Sequence, residues 1–139
     1  RSGYLSFSWV RNPWDRMVSI YSKKDPDMLQ KARQGGLRLE RLSFENFVTA
    51  TMNFQHVHLQ PQHTFILDRE RRPMVDFIGR FENFDSDFGE LRRRLGVDVE
   101  LPHRNQSVHE DYRSYYNDRS RALVATRYRD DLEAFSYSF

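Results

Sequence analysis

Arg11, Arg16 and Ser19 are the residues of this chain whose types and spacing suit the grip of a phosphate. A guanidinium offers a planar fork of donors that can hold two phosphate oxygens at once. A hydroxyl eight residues further on reaches the same anion if the chain doubles back between the two. Arg16 adds a third donor close by. Such an arrangement needs a strand to deliver the arginine, a turn, and a helix to return the serine.

The surrounding residues supply those elements. Tyr4 to Val10 is rich in β-branched and aromatic residues and reads as a buried strand. Pro13 cannot continue a ladder but fits the first turn of a helix. Asn12 suits the N-cap, and Asp15 places a carboxylate in the first turn, where the helix dipole favours it. Trp14, Met17, Val18 and Tyr21 fall at i, i+3, i+4 and i+7, which makes one apolar face. Ser19 lies about two turns into this helix and off that face. Arg11 then sits at the carboxyl end of a strand, where open α/β sheets bind their ligands.

The run Arg11-Asn-Pro-Trp-Asp-Arg16-Met-Val-Ser19-Ile-Tyr21 resembles the 3′-phosphate-binding motif of sulfotransferases that use PAPS (3′-phosphoadenosine-5′-phosphosulfate). That motif reads Arg-x-Pro-x-x-Arg-x-x-Ser-x-Tyr, and each of its fixed positions is filled here. The likeness is greatest to the carbohydrate sulfotransferase branch, with its chondroitin and HNK-1 enzymes and bacterial relatives. Further segments are similar to that branch in the same order: His58-Leu-Gln-Pro61-Gln62, then Val75 to Phe84 with its Asp-x-Ile-Gly-Arg-x-Glu-Asn pattern. Leu101 to Ser107 and Tyr128-Arg-Asp-Asp131-Leu-Glu-Ala-Phe135-Ser-Tyr137 follow. The first motif is specific, and the order of the others adds to it.

The resemblance implies a P-loop-type α/β fold, a mainly parallel sheet flanked by helices, with a helix-rich C-terminal half. It implies PAPS as co-substrate, PAP (adenosine 3′,5′-bisphosphate) as product, and a hydroxyl-bearing acceptor such as a carbohydrate. Arg11 and Ser19 are then the anchors of the 3′-phosphate, with Arg16 and Tyr21 as support. Relatives carry a lysine-containing phosphosulfate loop ahead of this motif. No Gly-x-x-x-x-Gly-Lys pattern occurs in this sequence, so the chain is expected to be one partial domain, incomplete on its N-terminal side. The alternative reading is an inactive relative that binds PAP, another nucleotide or a protein partner.

Composition narrows the choice. Thirty-eight per cent hydrophobic and 30% charged residues suit a single folded domain in a chain of 139 residues. The net charge of +2 and the mixed signs argue against a nucleic-acid binder. The arginine runs at Arg69 to Arg72 and Arg92 to Arg94 read as solvated surface. With no cysteine, disulfides and thiol chemistry are excluded. Animal lumenal relatives usually carry cysteines, so the expectation is a bacterial, cytoplasmic protein; a Golgi-lumenal or membrane-anchored one remains the alternative if an N-terminal anchor precedes the segment. No run reaches the length of a membrane span.

The remaining chain reads as helices at Pro26 to Gln34, stopped by Gly35-Gly36, and from Ser43 as N-cap to Met52. Strands are expected at Thr64 to Asp68 and Val75 to Gly79. Arg80 and Glu82 either pair with each other or line the cleft. Asp85 is expected to cap a helix through Leu95, whose Phe84, Phe88, Leu91 and Leu95 form a core stripe ending at Gly96. Asp111 to Tyr116 reads as a short helix, Asp118 as the cap of another through Tyr128, and Arg129 to Phe135 as the last. Ser136 stands where the family has glycine, which is harmless if its φ is negative.

Three site assignments stay open. His58 either faces the acceptor as general base or is an ordinary loop histidine held by backbone, and the base of such enzymes can also lie upstream. A metal on His56 and His58 is disfavoured, because the sequence offers no evident third ligand. His103, Arg104, Asn105 and Ser107 either touch the 3′-phosphate or adenine, as a late loop does in the family, or are exposed loop residues.

Overall fold

The computed structural model of the chain describes residues 5–96 and 111–139. Two strands, β1 (Phe7–Val10) and β2 (Phe77–Arg80), pair in parallel, with Phe7 opposite Phe77 and Val10 opposite Arg80. Between them run α1 (Pro13–Lys23), α2 (Pro26–Gln34), α3 (Phe44–Thr51) and α4 (His63–Ile66); α5 (Phe84–Leu95), α6 (Asp118–Arg127) and α7 (Arg129–Phe135) follow. Short 3-10 turns lie at Leu39–Arg41, Val57–Leu59, Phe81–Asn83 and Tyr112–Tyr115. The fold is therefore a helix-rich α/β arrangement, and its parallel sheet has two strands among the described residues. No helix among them is long and apolar enough to cross a membrane.

The helices begin where side chains meet their orphan amides. Asn12 accepts from Trp14 N at 3.0 Å, Asp25 from Met28 N at 3.0 Å and Ser43 from Asn46 N at 3.3 Å. The cap of α6 is Asn117, one residue before the expected Asp118, because Ser120 completes a reciprocal capping box with it. Likewise α5 starts at Phe84, so Asp85 lies in its first turn rather than at its cap.

The main core gathers around α1. Trp14, Met17 and Val18 pack with Met28 and Ala32 of α2, Phe44, Phe47 and Val48 of α3, and Val124 and Tyr128 at the α6–α7 end. Each of the larger of these apolar side chains contributes about 1.5–3 kcal/mol by burial. A smaller cluster of Val10, Ile66 and Phe135 joins the strand to α4 and α7.

Four further local expectations fail. The segment leading into Arg11 is a shorter strand than expected and not a buried one: Phe7 is 47% exposed and only Val10 is buried, since one partner strand covers one edge and little of either face. Thr64 to Asp68 is not a strand. Asp131 accepts from the backbone N–H of Gln62 at 2.7 Å and of His63 at 2.8 Å, which nucleates α4; the strand propensity of Thr64, Phe65 and Ile66 yields to that cap. Only Leu67 retains a bridge, antiparallel to Pro73. The α5 stripe is core at Leu91 alone; Phe84 and Phe88 are half-buried, and Leu95, the last helical residue, is 41% exposed outside the packed layer. Finally, Ser136 has φ 58, the left-handed region that favours glycine.

Candidate functional site

The carboxyl end of β1 is tied down through its backbone. The side-chain amide of Gln62 accepts from Arg11 N at 2.8 Å and donates to Arg11 O at 2.8 Å, as a third strand would. Asn12 N donates to Glu82 at 2.8 Å, which sets a carboxylate at the N-terminus of α1, where the dipole favours it. Arg80 and Glu82 do not pair. Arg80 donates to the carbonyl of Phe135 and lies over the Tyr137 ring, 4.8 Å to its centroid, while Glu82 accepts from the Tyr137 hydroxyl at 2.6 Å.

The closing segment thus holds each earlier motif in turn. Tyr128 donates its hydroxyl to Leu59 O at 2.7 Å. Asp131, fully buried, gathers Gln62 N, His63 N and the His63 ring, whose Nδ1 is 2.8 Å away. Phe135 packs against Val10, and Tyr137 reaches Glu82. Burial and, second, the Glu82 carboxylate raise the Tyr137 phenol above its ordinary range.

Within this frame α1 presents two faces. Trp14, Met17, Val18 and Tyr21 point into the core, with Tyr21 edge-on to Phe44 and Phe47 at 5.3 Å each. The other face, Arg16, Ser19, Ile20 and Lys23, lines a cavity of about 520 Å³ together with Arg11, Asp25, Pro26, Val57 and His58. Arg11 and Ser19, the pair singled out by spacing, therefore share one cavity.

The two are held differently. Arg11 Nε lies 2.7 Å from Asp15, and its guanidinium sits 4.1 Å over the Phe81 ring. Among the described residues its two η nitrogens have no hydrogen-bond partner, which leaves that edge for a bidentate contact. Ser19 is buried, at 4% exposure. Arg16 is a brace: it donates to the carbonyls of His58 at 2.9 Å and Gln60 at 2.8 Å. Burial lowers its pKa from the ordinary arginine range, against the opposing pull of Tyr128 and Asp131.

His58 is half-exposed at the cavity wall, with Nε2 3.5 Å from Asp25 Oδ2. The side chain of its neighbour His56 is covered, accepts from His58 N at 3.2 Å through Nδ1, and meets Asp27 at 3.0 Å through Nε2. The His56 bond, with a second one from Lys31, holds the Asp27 carboxyl below its usual range. Asp25, Asp27 and His56 bring ligand atoms within 4.8 Å of one another, so the acidic partners that the sequence did not reveal come from α2, some thirty residues away. The hydrogen bonds do not suit ligation by His56. Its Nδ1 faces an N–H donor and so carries no proton; Nε2 holds the ring proton and gives it to Asp27, whereas a metal-bound imidazole donates through its second nitrogen.

Arg104 and Ser107 lie outside the described residues. Sequence reasoning assigned no task to Gln62, Lys23, Asp25 or Asp131. For Gln62 and Asp131 a signal did exist, since Gln62 ends the His-x-x-Pro-Gln segment that resembles the family and Asp131 lies in the closing segment that does.

The model of a family described as "Sulfotransferase family" matches residues 1–138. A protein of Archaeoglobus fulgidus, named only as an uncharacterized protein, is 32% identical over 115 residues, which cover 80% of this chain and 84% of its own length. No solved structure matches the chain.

Proposed function

Because the chain belongs to the sulfotransferase family, we propose that it moves a sulfuryl group from PAPS to a hydroxyl of a carbohydrate or related acceptor. Arg11 and Ser19 grip the 3′-phosphate of the donor. One observation carries this reading: the two side chains line the same cavity, and Arg11 keeps its η edge without a protein partner among the described residues. The cavity's further cations, Arg16 and Lys23, favour an anion. Its volume of about 520 Å³ lies within the range of small-molecule sites.

PAPS supplies the sulfuryl group. Transfer forms a bond from the acceptor oxygen to sulfur as the bond from sulfur to the 5′-phosphate oxygen breaks, and PAP departs. The chain's own residues bind and orient. Arg11 fixes the donor through a charge-assisted contact, Ser19 adds a hydroxyl to the same phosphate, and Arg16 holds the turn that carries His58. His58 is the group that takes the acceptor proton.

Calorimetry with PAP tests this reading. Arg11→Ala is expected to weaken binding by about 1.5–3 kcal/mol, roughly ten- to a hundred-fold in Kd, the range for a lost hydrogen bond to a charged group. An unchanged dissociation constant would refute the anchor. Tight PAP binding without sulfuryl transfer from PAPS would identify a binding protein instead of an enzyme.

A further inference from the structure

The cavity wall holds one carboxylate among its cations. Asp25 lines it together with Arg11, Arg16, Lys23 and His58. A negative charge there opposes any bound anion, so phosphate recognition does not account for it. Its position is nonetheless fixed. Asp25 caps α2, its Oδ2 accepting from Met28 N at 3.0 Å, and α2 is anchored by the fully buried Met28 and Ala32. The same Oδ2 is the atom 3.5 Å from His58 Nε2.

His58 is held from its other sides as well. Its N–H donates to His56 Nδ1 at 3.2 Å and its carbonyl accepts from Arg16 at 2.9 Å. Its ring lies 5.0 Å from that of His56, tilted by 37°. Arg16 of α1 and His56 therefore fix the backbone of the Val57–Leu59 turn at His58, while Asp25 at the cap of α2 meets its half-exposed imidazole. Capping by itself accounts for an aspartate at this place only in part, because serine and asparagine cap equally well.

We propose that Asp25 is the positioning residue of His58. Its carboxylate holds the ring proton on Nε2, leaving the lone pair on Nδ1 as the one that receives a proton. The source of that proton, the acceptor hydroxyl, rests on the sulfotransferase reading; the pairing itself does not.

Nitrogen-15 NMR of the imidazoles tests the pairing in the full chain at about pH 8, where an ordinary imidazole is neutral. His58 is assigned by the signal lost in His58→Gln. In the wild type the Nδ1–H tautomer of His58 is expected to be undetectable. Asp25→Asn, which keeps both the cap and an oxygen acceptor, should preserve that state. Asp25→Ser keeps the cap but withdraws the acceptor, and the Nδ1–H tautomer should become measurable. A measurable Nδ1–H form in the wild type overturns the proposal whether or not the variants fold, and so does an Asp25→Ser spectrum identical to wild type.

PAP affinity gives a second reading. With the opposing charge gone, Asp25→Asn should bind PAP roughly threefold more tightly. Weaker binding would mean that Asp25 maintains the cavity's shape, and would also overturn the assignment. A wild type that does not bind PAP at all defeats the donor site of the proposed function and leaves the tautomer result standing.

Discussion

Gln62 and Arg11 exchange two hydrogen bonds, each 2.8 Å long, between a side-chain amide and a backbone. The contact stops the strand end from fraying at the residue that carries the candidate anchor. Gln62→Leu removes it and leaves a part-buried N–H and C=O without partners. The expected cost is about 2–3 kcal/mol of stability, the range for orphaned polar groups. Denaturant unfolding measures it. Because the same clamp sets Arg11, PAP affinity should fall alongside; full affinity in a destabilised variant would mean that the clamp serves folding alone.

Ser136 sits at φ 58 immediately after α7, between Phe135 and Tyr137, both of which are engaged in the frame. A side chain in the left-handed region costs on the order of 1 kcal/mol; glycine avoids that strain, and its greater freedom when unfolded takes back only part of the gain. Ser136→Gly is therefore expected to stabilise by about 0.5–1 kcal/mol, seen as a higher denaturant midpoint with an unchanged slope. Ser136→Val should do the opposite.

Gly79 faces the Trp9 ring across the β1–β2 pair, and a Cβ at position 79 would overlap that ring's six-membered half. The ring cannot easily give way. Phe84 lies 4.8 Å from it on one side and Phe77 meets it edge-on at 6.3 Å. Gly79→Ala should cost about 1–3 kcal/mol, as overpacking does. The double variant Trp9→Leu, Gly79→Ala should recover part of the second loss, because the ring that clashes has gone; a strictly additive double mutant would place the strain elsewhere.

Alkaline pH should unfold the chain through its tyrosines. Burial raises the phenols of Tyr116, Tyr128 and Tyr137, so each holds its proton more tightly in the folded state than in the unfolded state. The stability this represents is fully present below the unfolded value of about 10 and is lost as pH rises above it. Urea midpoints should be flat on this account up to about pH 9 and fall beyond about pH 10. The share of tyrosinate absorbance that Tyr116, Tyr128 and Tyr137 contribute, read by difference from their single Phe variants, should rise together with unfolding; a rise in that share that precedes the loss of helix would show that these phenols are open to solvent.

Much of the frame was legible in local sequence. The caps at Asn12 and Ser43, the span of α2, the stop at Gly96 and the last helix all follow from neighbours within four residues. That Arg11 and Ser19 line one cavity was legible for the same reason, since a turn and two helical turns set their separation. Thr64 to Asp68 was not. Its propensity favours a strand, and the carboxylate that caps it as a helix comes from position 131. Nor was the fate of Arg80 and Glu82, two residues apart and so inviting a pair, which each turn instead to the Phe135–Tyr137 segment.

By itself the sequence determined the candidate pair: a guanidinium and a hydroxyl at that spacing, in a segment that resembles the family motif, are what the proposed phosphate site rests on. Tertiary structure alone decided which groups share the cavity with them. Asp25 and His58 meet because α2 and the Val57–Leu59 turn are both packed against α1, by Met28 and Leu59 in one core. Contacts between residues some thirty positions apart carry no local periodicity, so only the packing of those helices brings them together.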